Sequence, residues 1–188
     1  MSTTTILSLV LVAIILWFIF SYNRFISLVN QAKEAWADIA VQLKRRYDLI
    51  PNLVETVKGY ATHESTVFEK VSEARAAAMG ASNTTPATQV QAENQLTGAL
   101  KSIFALSEAY PELKANQNFL QLQQELGDTE DKIQASRRFY NTTVMALNTA
   151  LQSFPGNLIA ALFRFKAMDL FELSSADAAA AEPVKVQF

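Results

Sequence analysis

"TILSLVLVAIILWFIFSY", residues 5–22, runs for eighteen residues without a charge. Coiled as an α-helix it rises about 27 Å, close to the hydrocarbon core of a bilayer at about 30 Å. Ile6, Leu9, Ile14, Trp17, Phe20 and Tyr22 belong to this span, with the amphipathic rings of Trp17 and Tyr22 towards its distal end. A cleaved signal peptide would show a basic start, a shorter apolar run and small residues at the cut. Here the chain opens "MSTTT" and the run ends "WFIFSY". Residues 1–23 therefore read as a retained single-pass anchor. Arg24 and Lys33 follow the span while no cation precedes it, a bias towards a cytoplasmic C-terminal part.

Beyond the anchor the apolar pattern continues with helical period. Phe25, Val29, Ala32, Trp36, Ile39, Leu43, Tyr47 and Ile50 form one stripe. Pro51 lacks an N–H and pushes Ile50 away from the α region, so a break is expected near Asp48, with Asp48 as N-cap of the next helix. That helix carries Leu53, Val57, Tyr60, Val67, Val71, Ala74 and Ala78, and "MGASNTTPATQ", residues 79–89, reads as a loop. A third helix carries Leu96, Leu100, Ile103, Leu106 and Tyr110, and Pro111 ends or re-caps it. The fourth keeps a 3-4 spacing from Phe119 through Thr129, Ser136, Thr143 and Ala150 to Phe154. The expected fold is all-α: an N-terminal transmembrane helix continuing into an antiparallel up-and-down four-helix bundle over residues 24–155. The small and polar seam positions Thr129, Ser136, Thr143 and Ala150 invite close approach between copies, and hence a homo-oligomer.

The charge of −2 gives no field for nucleic acid, and zero cysteines exclude thiol catalysis, disulfides and cysteine-based metal sites. Lys44, Arg45 and Arg46 fall between Leu43 and Tyr47 and read as an outward, solvated face, or as an interaction face for an acidic partner. His63, the only histidine, lacks partners for any familiar chemistry. Position 67 is Val where a zinc-protease helix needs a second histidine, and Tyr60 stands where a di-iron bundle needs glutamate. Glu125, Asp128 and Asp131 lack the loop of a calcium site and read as a charged outer face. No catalytic residue, metal site or cofactor is expected, and no small-molecule substrate.

Residues 156–173 do not fit the bundle pattern. Pro155 and Gly156 stop the fourth helix, and "NLIAALFRFKAMDLFEL" is too charged to span a bilayer and too apolar to lie free in water. An interfacial helix is one reading, with Leu158, Phe163 and Phe171 at the membrane and Arg164 and Lys166 on lipid phosphates. Docking on the bundle's own base, or on a neighbouring copy, is the other. If the chain ran straight through Pro51, three rods would remain and this segment would lie far from the membrane. Residues 174–188 read as a flexible tail, whose Val186 and Phe188 could alternatively add a strand to a partner.

"AWADIAVQLKRRYDLIPNLVETVKGYATHE", "AYPELKANQNFLQLQQEL", "RRFYN" and "FPGNLIA" resemble, in this order, the signature segments of the LemA family of bacterial membrane proteins. The likeness covers roughly residues 22 to 172, and Gln117 stands where the family more often has an acidic residue. The resemblance implies an anchored helical bundle in the bacterial cell (inner) membrane and supplies no catalytic residues. Lipoprotein-like relatives imply a soluble part outside the cytoplasm, against the two-charge bias. The function expected is a non-enzymatic scaffold that contacts membrane lipid, self-associates and organises other membrane proteins. The alternative is an adaptor presenting partners to a membrane protease or transporter.

Overall fold

A computed structural model describes residues 2–82 and 84–171. The expected tail, with Val186 and Phe188, and the last two residues of the 156–173 segment lie outside the described residues. Within them the chain is helical, without a strand: α1 (Thr3–Lys58), α2 (Ser65–Ala81), α3 (Pro86–Ser107), α4 (Pro111–Lys114), α5 (Gln117–Gln152) and α6 (Gly156–Phe163). α1 contains one segment long and apolar enough to cross a membrane, and none of that segment is buried. The chain divides into two compact units, Met1–Ala37 with Arg137–Leu170, and Asp38–Ser136 with the stretch that begins at Phe171.

The break expected near Asp48 does not occur. α1 runs through Pro51 to Lys58, and Asp48 is an exposed mid-helix residue rather than an N-cap. Proline at 51 leaves the carbonyl of Tyr47, four residues earlier, without its helical donor. The Arg75 Nε–H of α2 donates to that carbonyl at 2.7 Å, so the orphaned acceptor is satisfied from another element. The chain turns instead over residues 59–64, where the N–H groups of Tyr60 and Ala61 both donate to the Val57 carbonyl at 3.0 Å. Four long helices (α1, α2, α3 and α5) thus remain among the described residues although α1 runs unbroken through Pro51. Phe163 packs on Phe18, so neither the three rods nor the distant 156–173 segment expected of a straight α1 is found.

In the second unit the face Ile39, Leu43, Tyr47, Ile50, Leu53 and Val57 is buried, a 3-4 stripe along α1. The loop between α2 and α3 is shorter than the expected 79–89. α2 continues to Ala81, and α3 starts with Pro86 at its first turn, capped by the Thr85 hydroxyl, which accepts from the Thr88 N–H at 3.4 Å. Pro111 opens the one-turn α4.

The α5 seam is internal to the chain. Phe119, Leu126, Thr129, Ile133, Tyr140, Thr143 and Leu147 are buried, and Thr129 and Thr143 spend their hydroxyls on the carbonyls of Glu125 and Phe139 of their own helix. Of the four small and polar positions proposed from sequence to meet a second copy, Thr129 and Thr143 are thus buried within one chain, while Ser136 and Ala150 are half-buried. Phe154, the expected end of the seam, lies beyond α5 and is 80% exposed.

In the first unit the C-terminal part of α5 runs antiparallel to α1. Trp36 meets Tyr140 with ring centroids 5.3 Å apart, and Leu147 packs in the same core cluster as Phe25. The Phe154–Pro155 peptide is cis, and α6 then brings Ile159 and Ala160 into that cluster. Gly156 eases this approach: a Cβ there would meet the Ala150 carbonyl oxygen at a tight 3.2 Å and touch the Phe25 ring at 3.4 Å. The 156–173 segment is helical only to Phe163. Arg164 turns left-handed (φ 56, ψ 37), its N–H donating to the Ala161 carbonyl and that of Phe165 to the Ala160 carbonyl, and the chain continues to Phe171 as a strap without helix or strand.

Candidate functional site

Two side-chain constellations stand out, one in each unit. The first is built around Arg46. Lys44 and Arg45 are exposed as expected, but Arg46 is buried at 4% exposure, which corrects its assignment to an outward face. Its Nη1 lies 3.2 Å from both Glu93 of α3 and Glu130 of α5, and its Nη2 donates to the Thr97 hydroxyl at 2.7 Å. The neighbouring Tyr47 donates its phenol O–H to the other oxygen of Glu93. Burying a guanidinium costs several kcal/mol unless it is paired and hydrogen-bonded, and the fork geometry of arginine allows both here. Burial pushes the Tyr47 phenol pKa far above its ordinary value, and Glu93 adds to this by accepting the hydrogen bond and by its charge. The Gln89 amide and Arg46 act in the opposite direction.

A signal for this centre was present in the sequence. Arg46 stands three residues after Leu43 and four before Ile50, on the buried stripe rather than beside it. Glu93 likewise falls between Val90 and Leu96, both buried. The three-cation run conceals this, because its first two members do face water. Chemically the centre is closed: the carboxylate, phenol and guanidinium engage one another, and Arg46 and Glu93 are each buried.

His63 lies exposed in the turn between α1 and α2, its backbone N–H donating to Glu64 Oε2 at 3.1 Å. That turn is tied by Tyr110, whose hydroxyl donates to Glu64 Oε1 at 2.5 Å, and by Asn116, whose amide donates to the Tyr60 hydroxyl at 2.8 Å. The bond to Glu64 raises the Tyr110 pKa. Glu125 accepts from the Gln121 amide at 2.9 Å, and Asp128 and Asp131 are exposed. Among the described residues no group of three or more metal-ligating side chains comes together. A shallow groove between α2 and α3, lined by Val67, Lys70, Ala74, Gly98 and Ser102, offers one cation and no nucleophile with a base.

The second constellation is aromatic. Phe163 lies with its ring 5.8 Å from Phe18 and 4.6 Å from Tyr22, and Phe165 stacks on Phe25 at 5.1 Å. Arg164 and Lys166 alternate with these rings and are exposed. The strap behind them is fixed to α5: Asn148 accepts from the Met168 N–H at 3.1 Å and donates to the Met168 carbonyl at 2.9 Å, and the Tyr140 hydroxyl donates to the Asp169 carbonyl at 2.9 Å. Of the candidate membrane-interface residues, Leu158, Phe163, Arg164 and Lys166 are exposed. Phe171 is not: at 1% exposure it is covered by protein and has no surface to offer a membrane, which corrects that assignment. The span residues Ile6, Leu9, Ile14, Trp17 and Phe20 are exposed, and Tyr22 is half-buried beneath Phe163.

The sequence pattern that defines the LemA family matches residues 35–188, most of the chain, including the whole Arg46 centre and the α5 and α6 side of the aromatic constellation. The chain belongs to the LemA family. Protein LemA of Metamycoplasma hominis is 27% identical over 159 residues, covering 84% of this chain and 69% of that protein. Magnetosome protein MamQ of Magnetospirillum gryphiswaldense is 24% identical over 185 residues, covering 86% and 68%. Magnetosome protein MamQ 1 of Paramagnetospirillum magneticum is 22% identical with the same coverage. The Arg46 centre of this LemA-family chain lies within the matched range, and so do Asn148 and the Arg164 turn.

Proposed function

We propose that this chain is a membrane-anchored, non-enzymatic scaffold that self-associates and organises membrane-linked protein assemblies. The observation that carries the reading is a division of labour within α1. Its first part exposes an unbroken apolar run, while its later part spends Arg46 and Tyr47 on internal partners. Buried charges consumed in this way hold helices together and leave no activated group for a substrate. The names of the relatives refer to the magnetosome or to the family itself, and none states a reaction. That too favours assembly over catalysis. The helical part is proposed to form a four-helix bundle on the outer side of a bacterial inner membrane.

Because the α5 seam is internal, self-association is assigned to the outer surface of α5, where Phe139 and Met145 are 56% and 58% exposed. The mass of the detergent-solubilised particle tests this directly. A particle of several 20.8 kDa chains, reduced to one chain by Phe139→Lys with Met145→Lys, is the expected result. A single-chain particle across detergents and concentrations would refute self-association. Lys44 and Arg45 favour a second reading, an adaptor for acidic partners, since both are exposed and pair with no carboxylate among the described residues. A pull-down in mild detergent separates the two, because a scaffold recovers mainly itself.

A further inference from the structure

The geometry points to a second membrane contact: α6 and the Arg164 turn form an interfacial foot, bound to lipid at the point where α1 leaves the bilayer. This rests on the reading of α1 as a membrane anchor. Three observations carry it. The first is depth. Phe163 packs against Phe18 and Tyr22, and Phe18 lies inside the uncharged run, so the end of α6 is held level with the last turns of the span.

The second is the two-sidedness of α6. Ile159 and Ala160 are buried against Phe25 and Leu147, whereas Leu158 and Leu162 are 59% and 65% exposed, beside Phe154 at 80%. Large apolar side chains left in water each forgo about 1.5–3 kcal/mol of burial. A lipid surface at this level would cover all three.

The third is charge. Arg164 and Lys166 on the turn and Arg24, two residues past the uncharged run, are exposed, as cations that meet headgroup phosphates are. Arg164 also occupies a left-handed position that glycine fills at lower cost, by about 1 kcal/mol. A cation is therefore set at the tip of the reversal, between two phenylalanines that face α1. Asp169, the acidic side chain of the strap, lies beyond the pinned Met168. The occupant is thus the phosphate and upper acyl region of the leaflet through which α1 exits.

The chain has no cysteine, so one introduced cysteine carries a fluorophore at a single site. Leu162→Cys and, separately, Ile14→Cys would be labelled in the full chain and reconstituted in phosphatidylcholine–phosphatidylglycerol vesicles. Quenching would be measured with lipids brominated near the headgroup for Leu162 and in the middle of the acyl chain for Ile14, and with aqueous iodide for both. The foot predicts several-fold stronger quenching at Leu162 by the brominated lipid than by iodide. Iodide quenching at Leu162 with lipid quenching at Ile14 would overturn the foot and leave the anchor standing. Shielding of Leu162 from both quenchers would mean that a second copy covers α6, and would also overturn it. Absence of lipid quenching at Ile14 would remove the anchor, and the foot with it.

Discussion

The two units of this chain are held by opposite chemistries. In the first, Phe18, Tyr22, Phe25, Phe163 and Phe165 pack as rings, and the polar contribution is a side-chain grip on a strap backbone by Asn148 and Tyr140. In the second, a single buried guanidinium joins α1, α3 and α5 through Glu93, Thr97 and Glu130. Ring packing tolerates gradual loss, since each contact is small and many act together. A buried ion pair does not, because removing one partner leaves the other charged and without its counterpart.

That difference sets the order of the expected effects. Arg46→Ala should be the most damaging change, destabilising the second unit by about 3–5 kcal/mol by leaving Glu93 buried without its cation. Pairing it with Glu93→Leu should recover much of the loss, as followed by helical circular dichroism during denaturation of the solubilised protein. A full-size loss in the double variant would mean that Arg46 acts through its packing rather than its charge.

In the first unit, Asn148→Leu removes both bonds to Met168 and should cost about 2 kcal/mol, confined to the strap. Hydrogen exchange of the Met168 amide should accelerate while amides near Arg46 stay unchanged. Arg75→Met comes next, at about 1–2 kcal/mol, because the Tyr47 carbonyl is left without a donor. Adding Pro51→Ala should restore stability, since an alanine N–H can donate to that same carbonyl. Spin labels at Val41 and Thr56 should report a bend in α1 in the single variant and none in the double.

The smallest effect is confined to alkaline solution. The Tyr47 phenol holds its proton more tightly folded than unfolded, where it titrates near 10.0. Below that pH the contribution is complete, and above it the unfolded chain sheds its proton first, so stability falls as pH rises. Tyr140 is shifted in the same direction, by burial first and then by Asp169. Tyr47→Phe should flatten the alkaline decline of the second unit alone.

What could be read from sequence follows the same division. The apolar run of α1 rests on composition and length, and the helical class and most of the α5 stripe on periodicity; all are local, and the structure makes each of them helix. The events missed depend on partners distant in sequence. Pro51 predicts a break unless its orphaned carbonyl finds a donor, and the donor is a side chain of α2. Arg46 predicts a solvated face unless a carboxylate waits inside, and that carboxylate is on α3. The α6 segment was legible as apolar but not as a short helix ended by a left-handed arginine, because few signals mark a non-glycine stop.

Arg75 follows Tyr47 by 28 residues, so a ribosome releases the two at different times. As α1 emerges, the Tyr47 carbonyl has only water to bond, and the nascent helix is free to flex at Pro51. The donor that satisfies this carbonyl arrives only when α2 has been synthesised and laid against α1. A fragment ending at Lys58 would contain every residue of α1 and yet lack the group that straightens it. One of the bonds that completes the longest helix among the described residues is therefore supplied from outside that helix's own sequence.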